Sequence, residues 1–351
     1  MQEATKNNHL KTFFTIAVSL AFAALFMWLA LRGLQFGKIK ESLLKANYLW
    51  ILVSMVFGVL AYWFRAVRWN LLLEPMGYRV ANSNSFWTIA FGYLMNLTIP
   101  RSGEVARATA LYGVEGVPVD RSFGTIILER VVDLFCMLVF LLLTLVFKYN
   151  AIYSFYEKSG IRINPWYFAV FVVVLGIGLV LFFKCKDYFR KYGFLGKIIS
   201  FVEGILQGIL SVFHMKQKVK FILQTVGIWI CYYLAAYLVC FALPETSSFT
   251  FADGFFIIVV GTLGMMVPAS GGIGAYHFAM KLGVSALFLS MGRSAEAGAE
   301  IGLSYAFLSH TMQLVIMLVM GGISIPVLAR ARSRYASEKE HHADEIFRDK
   351  E

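Results

Sequence analysis

The chain has 351 residues, of which 59% are hydrophobic, 16% aromatic and only 15% charged. An ordinary soluble domain is about a quarter charged, so this composition excludes a water-soluble globule. The formal charge of +11, which could suggest nucleic acid in a soluble protein, is read as membrane topology, because Lys and Arg collect on the cytoplasmic side. No aromatic-interleaved basic patch remains for a nucleic acid once the loops are assigned.

Charge-free windows fill 12–31, 46–64, 80–100, 134–147, 163–183, 221–244, 254–280 and 301–329, about half of the chain. An α-helix needs about 20 apolar residues to cross the hydrocarbon, so the expected fold class is all-α, a polytopic membrane helical bundle. Window 12–31 follows Lys6 and Lys11 and exceeds the roughly 7–15-residue core of a cleavable signal peptide, so it reads as a retained first span. The loop 32–45 carries Arg32, Lys38, Lys40 and Lys45 yet must lie outside if two spans precede Arg65. Window 46–64 ends at Arg65 and Arg68, followed by Trp69, either interface anchors or part of a gate.

Residues 80–114 should enter and leave from the cytoplasmic side, broken at Pro100-Arg101-Ser102-Gly103. If a helix starts near Ser102, Arg101 sits beside its positive end and Glu104 in its first turn. Arg101 and Arg107 could then clamp a phosphate, with Asn96, Ser102 and Gly103 at the same tip and Glu104 orienting one arginine. The bland alternative is a capped helix end with surface charges. In the following helix, around 122–147, Glu129 and Asp133 are four apart and Arg130 and Asp133 three apart, which predicts a local ion-paired patch acting as a lock or a gate.

The span 163–183 descends to a basic loop, 184–220, whose stretch 194–213 has apolar residues such as Ile198, Val202, Ile205 and Ile209 at helical spacing. It reads as an amphipathic linker on the cytoplasmic leaflet or against the bundle. The span 221–244 runs outward to 245–253, which carries only Glu245 and Asp253. Residues 254–290 must then enter and leave from outside, broken at Pro268-Ala269-Ser270-Gly271-Gly272-Ile273-Gly274. Three glycines there let backbone approach a ligand, or let helices pack closely, and Tyr276 and His277 offer hydrogen bonds or a proton. The span 301–329 returns inward; His310 and Gln313 read as a polar contact between helices. Residues 330–351 carry six positive and six negative charges, giving a solvated, disordered cytoplasmic tail.

The chain thus divides into 1–183, a linker 184–220, 221–329 and a tail 330–351. The breaks share Gly-x-Leu, an apolar run and Pro-x-Ser-Gly, from Gly92 to Gly103 and from Gly261 to Gly271. Each lies between two full spans, and the units begin on opposite sides. Two re-entrant or broken helix pairs in an inverted repeat are the expectation, a layout that points to a transporter's central site. Cys136, Cys231, Cys240 and Cys185 form no disulfide framework or CxxC, and no metal or cofactor motif is present.

Arg68-Trp69, the run from Asn96 through Pro100, Arg101, Gly103, Glu104 and Arg107, the group Glu129, Arg130 and Asp133, and Pro268 through Gly274 together resemble the flippase-like transmembrane region of lysylphosphatidylglycerol synthases. The resemblance covers about residues 10–330, and its most specific part is Pro-Arg-x-Gly-Glu-x-x-Arg. It implies a membrane domain that moves aminoacylated or glycosylated lipids between leaflets. Lipid lysylation is not implied, because the chain lacks the aminoacyl-transferase domain. It also has Tyr276-His277 where members often have Glu.

The resulting expectation is a multi-pass protein of the cell (inner) membrane with both termini cytoplasmic. It would translocate lipids with anionic or phosphate head groups, without cofactor or nucleic-acid partner. A membrane-embedded transferase using Glu104 or Asp133 as base, or an envelope-assembly scaffold, are the alternatives.

Overall fold

A computed structural model describes residues 2–99, 101–158 and 216–348, together with Val170 and Val174. Eleven α-helices make up the described residues, joined by short 3-10 turns, and no strand occurs among them. Five of the helices are long and apolar enough to cross a membrane, or six spans if a bent pair counts as one. The expected span 163–183, most of the linker 184–220, Cys185 and Pro100 lie outside the described residues.

Helix α1 (Gln2–Leu31) turns by 91° into α2 (Phe36–Lys45). The troublesome basic loop 32–45 is therefore mostly helix. Ile39 and Ser42 of α2 are buried while Phe36 and Leu44 are exposed, the pattern of a helix laid across the end of the bundle. Three of the four cations of 32–45 have partners: Arg32 lies over the Trp28 ring, Lys45 binds Glu41 at 2.6 Å and Lys38 binds Glu300 at 3.2 Å. Partnered cations at an interface carry a weaker topological signal than free ones.

The core order is span, hairpin, span, and it occurs twice. Helix α3 (Tyr48–Leu73) precedes α4 (Asn82–Thr98) and α5 (Gly103–Glu115), and α6 (Val119–Phe147) follows, with the short α7 (Tyr149–Lys158) behind it. Helix α8 (Lys218–Tyr237) precedes α9 (Phe251–Met266) and α10 (Ala275–Ser290), and α11 (Ala295–Arg348) follows.

Each broken pair folds back on itself. In the first, Asn84 donates to Glu115 at 2.8 Å near the base, and Asn96 accepts from the Gly103 N–H at 2.7 Å near the tip. In the second, a Cβ at Gly264 would lie 2.8 Å from that of Ala279, and one at Gly283 would lie 2.8 Å from Val260 Cγ1. Residue numbers that rise on one arm as they fall on the other define an antiparallel hairpin.

The two bases lie at opposite ends of the bundle. Helices α3 and α8 run antiparallel, since Asn47 donates to the Ala242 carbonyl at one end and Gln217 to Glu74 at the other. The first hairpin's base joins the Glu74 end through Asn70 and Asn82, 2.7 Å apart. The second joins the Ala242 end, where Arg293 donates to the Glu245 carbonyl at 2.9 Å and Lys148 pairs with Asp253 at 2.5 Å. The tips meet between these ends: Ser270 Oγ donates to the Leu97 carbonyl at 2.7 Å and Arg101 Nη2 to that of Met266 at 3.3 Å.

On its outer face α6 presents Phe135, Leu138, Leu142 and Val146 as exposed apolar surface, as a lipid-facing helix requires. The charged tail departs from expectation. Residues 330–348 continue α11 rather than losing structure, with Tyr335 lying against Gly116. An already nucleated helix is extended at little cost, and Ser337 through His341 contains neither Gly nor Pro to stop it.

The close approach of α4 and α5 rests on glycine. A Cβ at Gly103 would fall 2.6 Å from Asn96 Nδ2, while one at Gly322 would meet nothing within 4 Å. Gly103→Ala should therefore destabilise the protein by about 1–3 kcal/mol, as overpacking does, and Gly322→Ala should not. Thermal unfolding of the detergent-solubilised variants checks this.

Candidate functional site

Arg65 and Arg68 are three residues apart on α3 and Glu129 and Asp133 four apart on α6, so each pair shares a helix face. Those faces meet, and α5 adds Arg107. Asp133 binds Arg65 at 2.6 Å and Arg68 at 2.9 Å; Glu129 binds Arg107 at 2.5 Å and, more loosely, Arg68 at 3.5 Å. All five side chains are at most 13% exposed. A buried charge is tolerated only when paired and hydrogen-bonded.

Neighbouring groups complete the cluster. Arg65 also donates to the Tyr93 hydroxyl at 3.0 Å, and Arg107 stacks over Trp69, whose indole N–H donates to Thr125 Oγ1 at 2.8 Å. At its edge, Arg130 binds Glu104 at 2.7 Å, and both are partly exposed.

A cavity of about 530 Å3 begins at this cluster and extends between the second hairpin, α8 and α11. Arg65, Arg130, Asp133 and Tyr93 line one part, and Trp229, Ile257 and Met312 are among the apolar residues of the rest. Leu134 and Met266 also line it and are 56% and 60% exposed, so the cavity reaches the outer surface of the bundle beside α6.

The sequence-predicted residues separate into three groups. Arg65, Arg130, Asp133 and Tyr276 line the cavity, and Arg68, Arg107 and Glu129 form the buried cluster behind it. Arg101 stands near the cavity's edge, bonded to the Met266 carbonyl, with a φ of 62° that a residue bearing a side chain rarely adopts. The others hold the tips together. Asn96 caps α5 through the Gly103 N–H, and Ser102 Oγ lies 2.7 Å from the Ile99 carbonyl at the end of α4. Gly271, Gly272 and Gly274 have φ of 58°, 76° and 81°, and a Cβ at Gly274 would fall 2.6 Å from the Met27 nitrogen of α1. Here the glycine run serves close packing.

Several pairings differ from expectation. Arg107 is committed to Glu129, so it forms no clamp with the exposed Arg101. Glu104 orients Arg130 rather than Arg101 or Arg107. Glu129 and Asp133 bind arginines of other helices rather than forming a local patch, because their shared face is turned toward α3. His310 stacks on His277 with ring centroids 5.1 Å apart, and Tyr276 shares a 2.9 Å hydrogen bond with Ser309. Tyr62, Tyr93 and Tyr232 line the cavity without having been singled out, and Gln313, expected as a polar contact beside His310, lines it as well. Polar aromatics inside charge-free windows were the available signal. Among the described residues no three His, Cys, Asp or Glu side chains are grouped as metal ligands would be.

Fold and site define a polytopic helical membrane protein in which two folded-back hairpins meet beside a charged, partly apolar cavity. The chain belongs to the lysylphosphatidylglycerol synthase TM region family, whose model matches residues 16–321. It is similar to a UPF0104 membrane protein of Methanothermobacter thermautotrophicus, 21% identical over 327 residues, covering 86% of this chain and 92% of that one. A UPF0104 membrane protein of Methanocaldococcus jannaschii is 28% identical over 131 residues, covering 36% of this chain and only 38% of the relative's length. No solved structure matches.

If the cluster is a stability-critical unit, deleting one carboxylate should expose its cost. Glu129→Ala leaves Arg107 and Arg68 short of a buried partner and should destabilise the protein by about 3–5 kcal/mol. Adding Arg107→Leu should recover part of that loss. A double-mutant cycle of unfolding free energies in detergent measures the coupling.

Proposed function

We propose that the protein moves lipids between the leaflets of the cell membrane, with α3–α6 and α8–α11 acting as the halves of an inverted repeat. The supporting observation is the cavity of about 530 Å3 between the charged cluster and the second hairpin, charged at one end, largely apolar along the rest, and reaching the lipid-facing surface at Leu134 and Met266. A head group at Arg65 and Arg130 with its chains along Met137 and Trp229 would match that division. Chains leaving the bundle beside α6 stay in hydrocarbon, so translocation never exposes their apolar surface to water.

Rocking of one half against the other about the touching tips would expose the head group to alternate sides. Among the described residues the tips meet through two hydrogen bonds, at Ser270 and Arg101, few enough to exchange during such a motion. The end holding Glu115, Lys218, Lys220 and Arg332 is assigned to the cytoplasm by its basic residues. An impermeant thiol reagent on intact cells should accordingly label a cysteine at Ser248 and spare one at Glu115, in a background lacking the native cysteines.

An intramembrane transferase is supported less well, because its sequence-derived bases, Glu104 and Asp133, are both bonded to arginines. Reconstitution tests the translocase directly. Liposomes bearing the protein should exchange fluorescent lipids between leaflets faster than empty ones. A flexible thiol cross-linker joining cysteines at Leu97 and Ser270 should return exchange to the protein-free rate, with recovery on cleavage. Lipid mass unchanged by incubation separates movement from covalent modification.

A further inference from the structure

Among the described residues the charges around the cavity do not balance. In the buried cluster, Arg65, Arg68 and Arg107 face Glu129 and Asp133, three positive charges against two negative. The Arg130–Glu104 pair at the edge is neutral. Arg101 adds a further cation beside Met266, which itself lines the cavity. The excess is positive, and part of it lies out of water: Arg65 and Arg68 side chains are 4% and 0% exposed. The Nε atoms of Arg65, Arg68 and Arg107 are buried without a hydrogen-bond partner. Uncompensated charge in such surroundings is costly unless an anion completes it.

The ligand that would complete it must be negative at a compact group and apolar elsewhere. Arg65 and Arg130 supply guanidinium donors, which suit phosphate oxygens, and Arg65 is held in place by its bond to the Tyr93 hydroxyl. Among the described residues no carboxylate but Asp133, already shared between two arginines, lines the cavity to receive an ammonium group. Aromatic rings from Tyr62, Tyr232 and Trp229 could face a quaternary ammonium, but the nearby guanidinium excess opposes a second cation.

From this balance we infer that the cavity selects lipids whose head-group phosphate keeps its net negative charge, and rejects the same lipids once an aminoacyl or choline cation masks it. The inference rests on the proposed translocase site and narrows its substrate class.

The test uses the purified full chain in non-ionic detergent, titrated with short-chain phosphatidylglycerol, its lysyl ester and phosphatidylcholine, with binding followed by native mass spectrometry. Phosphatidylglycerol should bind about tenfold or more tighter than either cationic-group lipid, equivalent to about 1.4 kcal/mol. Two substitutions at the partly exposed edge should act in opposite directions. Arg130→Gln should weaken phosphatidylglycerol binding and Glu104→Gln should strengthen it, each severalfold, with phosphatidylcholine changed much less. A purely structural pair would lose affinity for every lipid in both variants.

Equal affinities, or preference for the lysyl ester, overturn the inference. Leaflet exchange without head-group preference would sink it while leaving the translocase standing. Charge-selective binding without exchange would do the reverse.

Discussion

Three arginines buried inside an apolar bundle set the terms for the first half of this protein. Taking a guanidinium out of water costs several kcal/mol, and mutual repulsion adds to it. Glu129 and Asp133 offset much of that cost only because α6 turns their shared face toward α3 while α5 brings Arg107 from the other side. No two of these helices could satisfy the cluster alone. The hairpin and both its flanking spans are therefore held in one register by ion pairs, in a medium where hydrophobic burial offers little to choose between registers.

The second hairpin is built differently. Its arms approach through Gly261, Gly264 and Gly283, and its turn uses glycines with positive φ. Tyr276 bonds to Ser309, and His277 stacks on His310. Here packing and aromatic contact do what charge does in the first hairpin. Charged residues of α3 and α6 facing the packed second hairpin across one cavity give the site its two characters, and they explain why polar head and apolar chains would be divided as proposed.

The hairpin tips connect these halves with little material. Arg101 adopts a left-handed backbone conformation that costs about 1–3 kcal/mol for a residue with a side chain. Its side chain reaches across to the other hairpin's Met266. The cost is borne at the point where both broken segments touch, which is also where movement between the halves would have to be permitted.

Much of this architecture was legible in the residues. Long charge-free windows require membrane helices, because lipid cannot hydrate charges or free backbone. Pro-x-Ser-Gly breaks in windows of excess length mark folded-back segments, and positions three and four apart place Arg65 with Arg68 and Glu129 with Asp133. Partner choice was not legible. Arg107 could equally have met Glu104, its neighbour in sequence, and only the rotation of α5 against α6 commits it to Glu129 and leaves Glu104 to Arg130. Local spacing fixes which side chains share a face, but the orientation of that face depends on every helix packed around it. The cavity, whose walls come from residues as distant as Gly58 and Met317, exists only at that level. So does the bend of α2, where amphipathic residues that read as a misplaced basic loop become a helix capping the bundle's end.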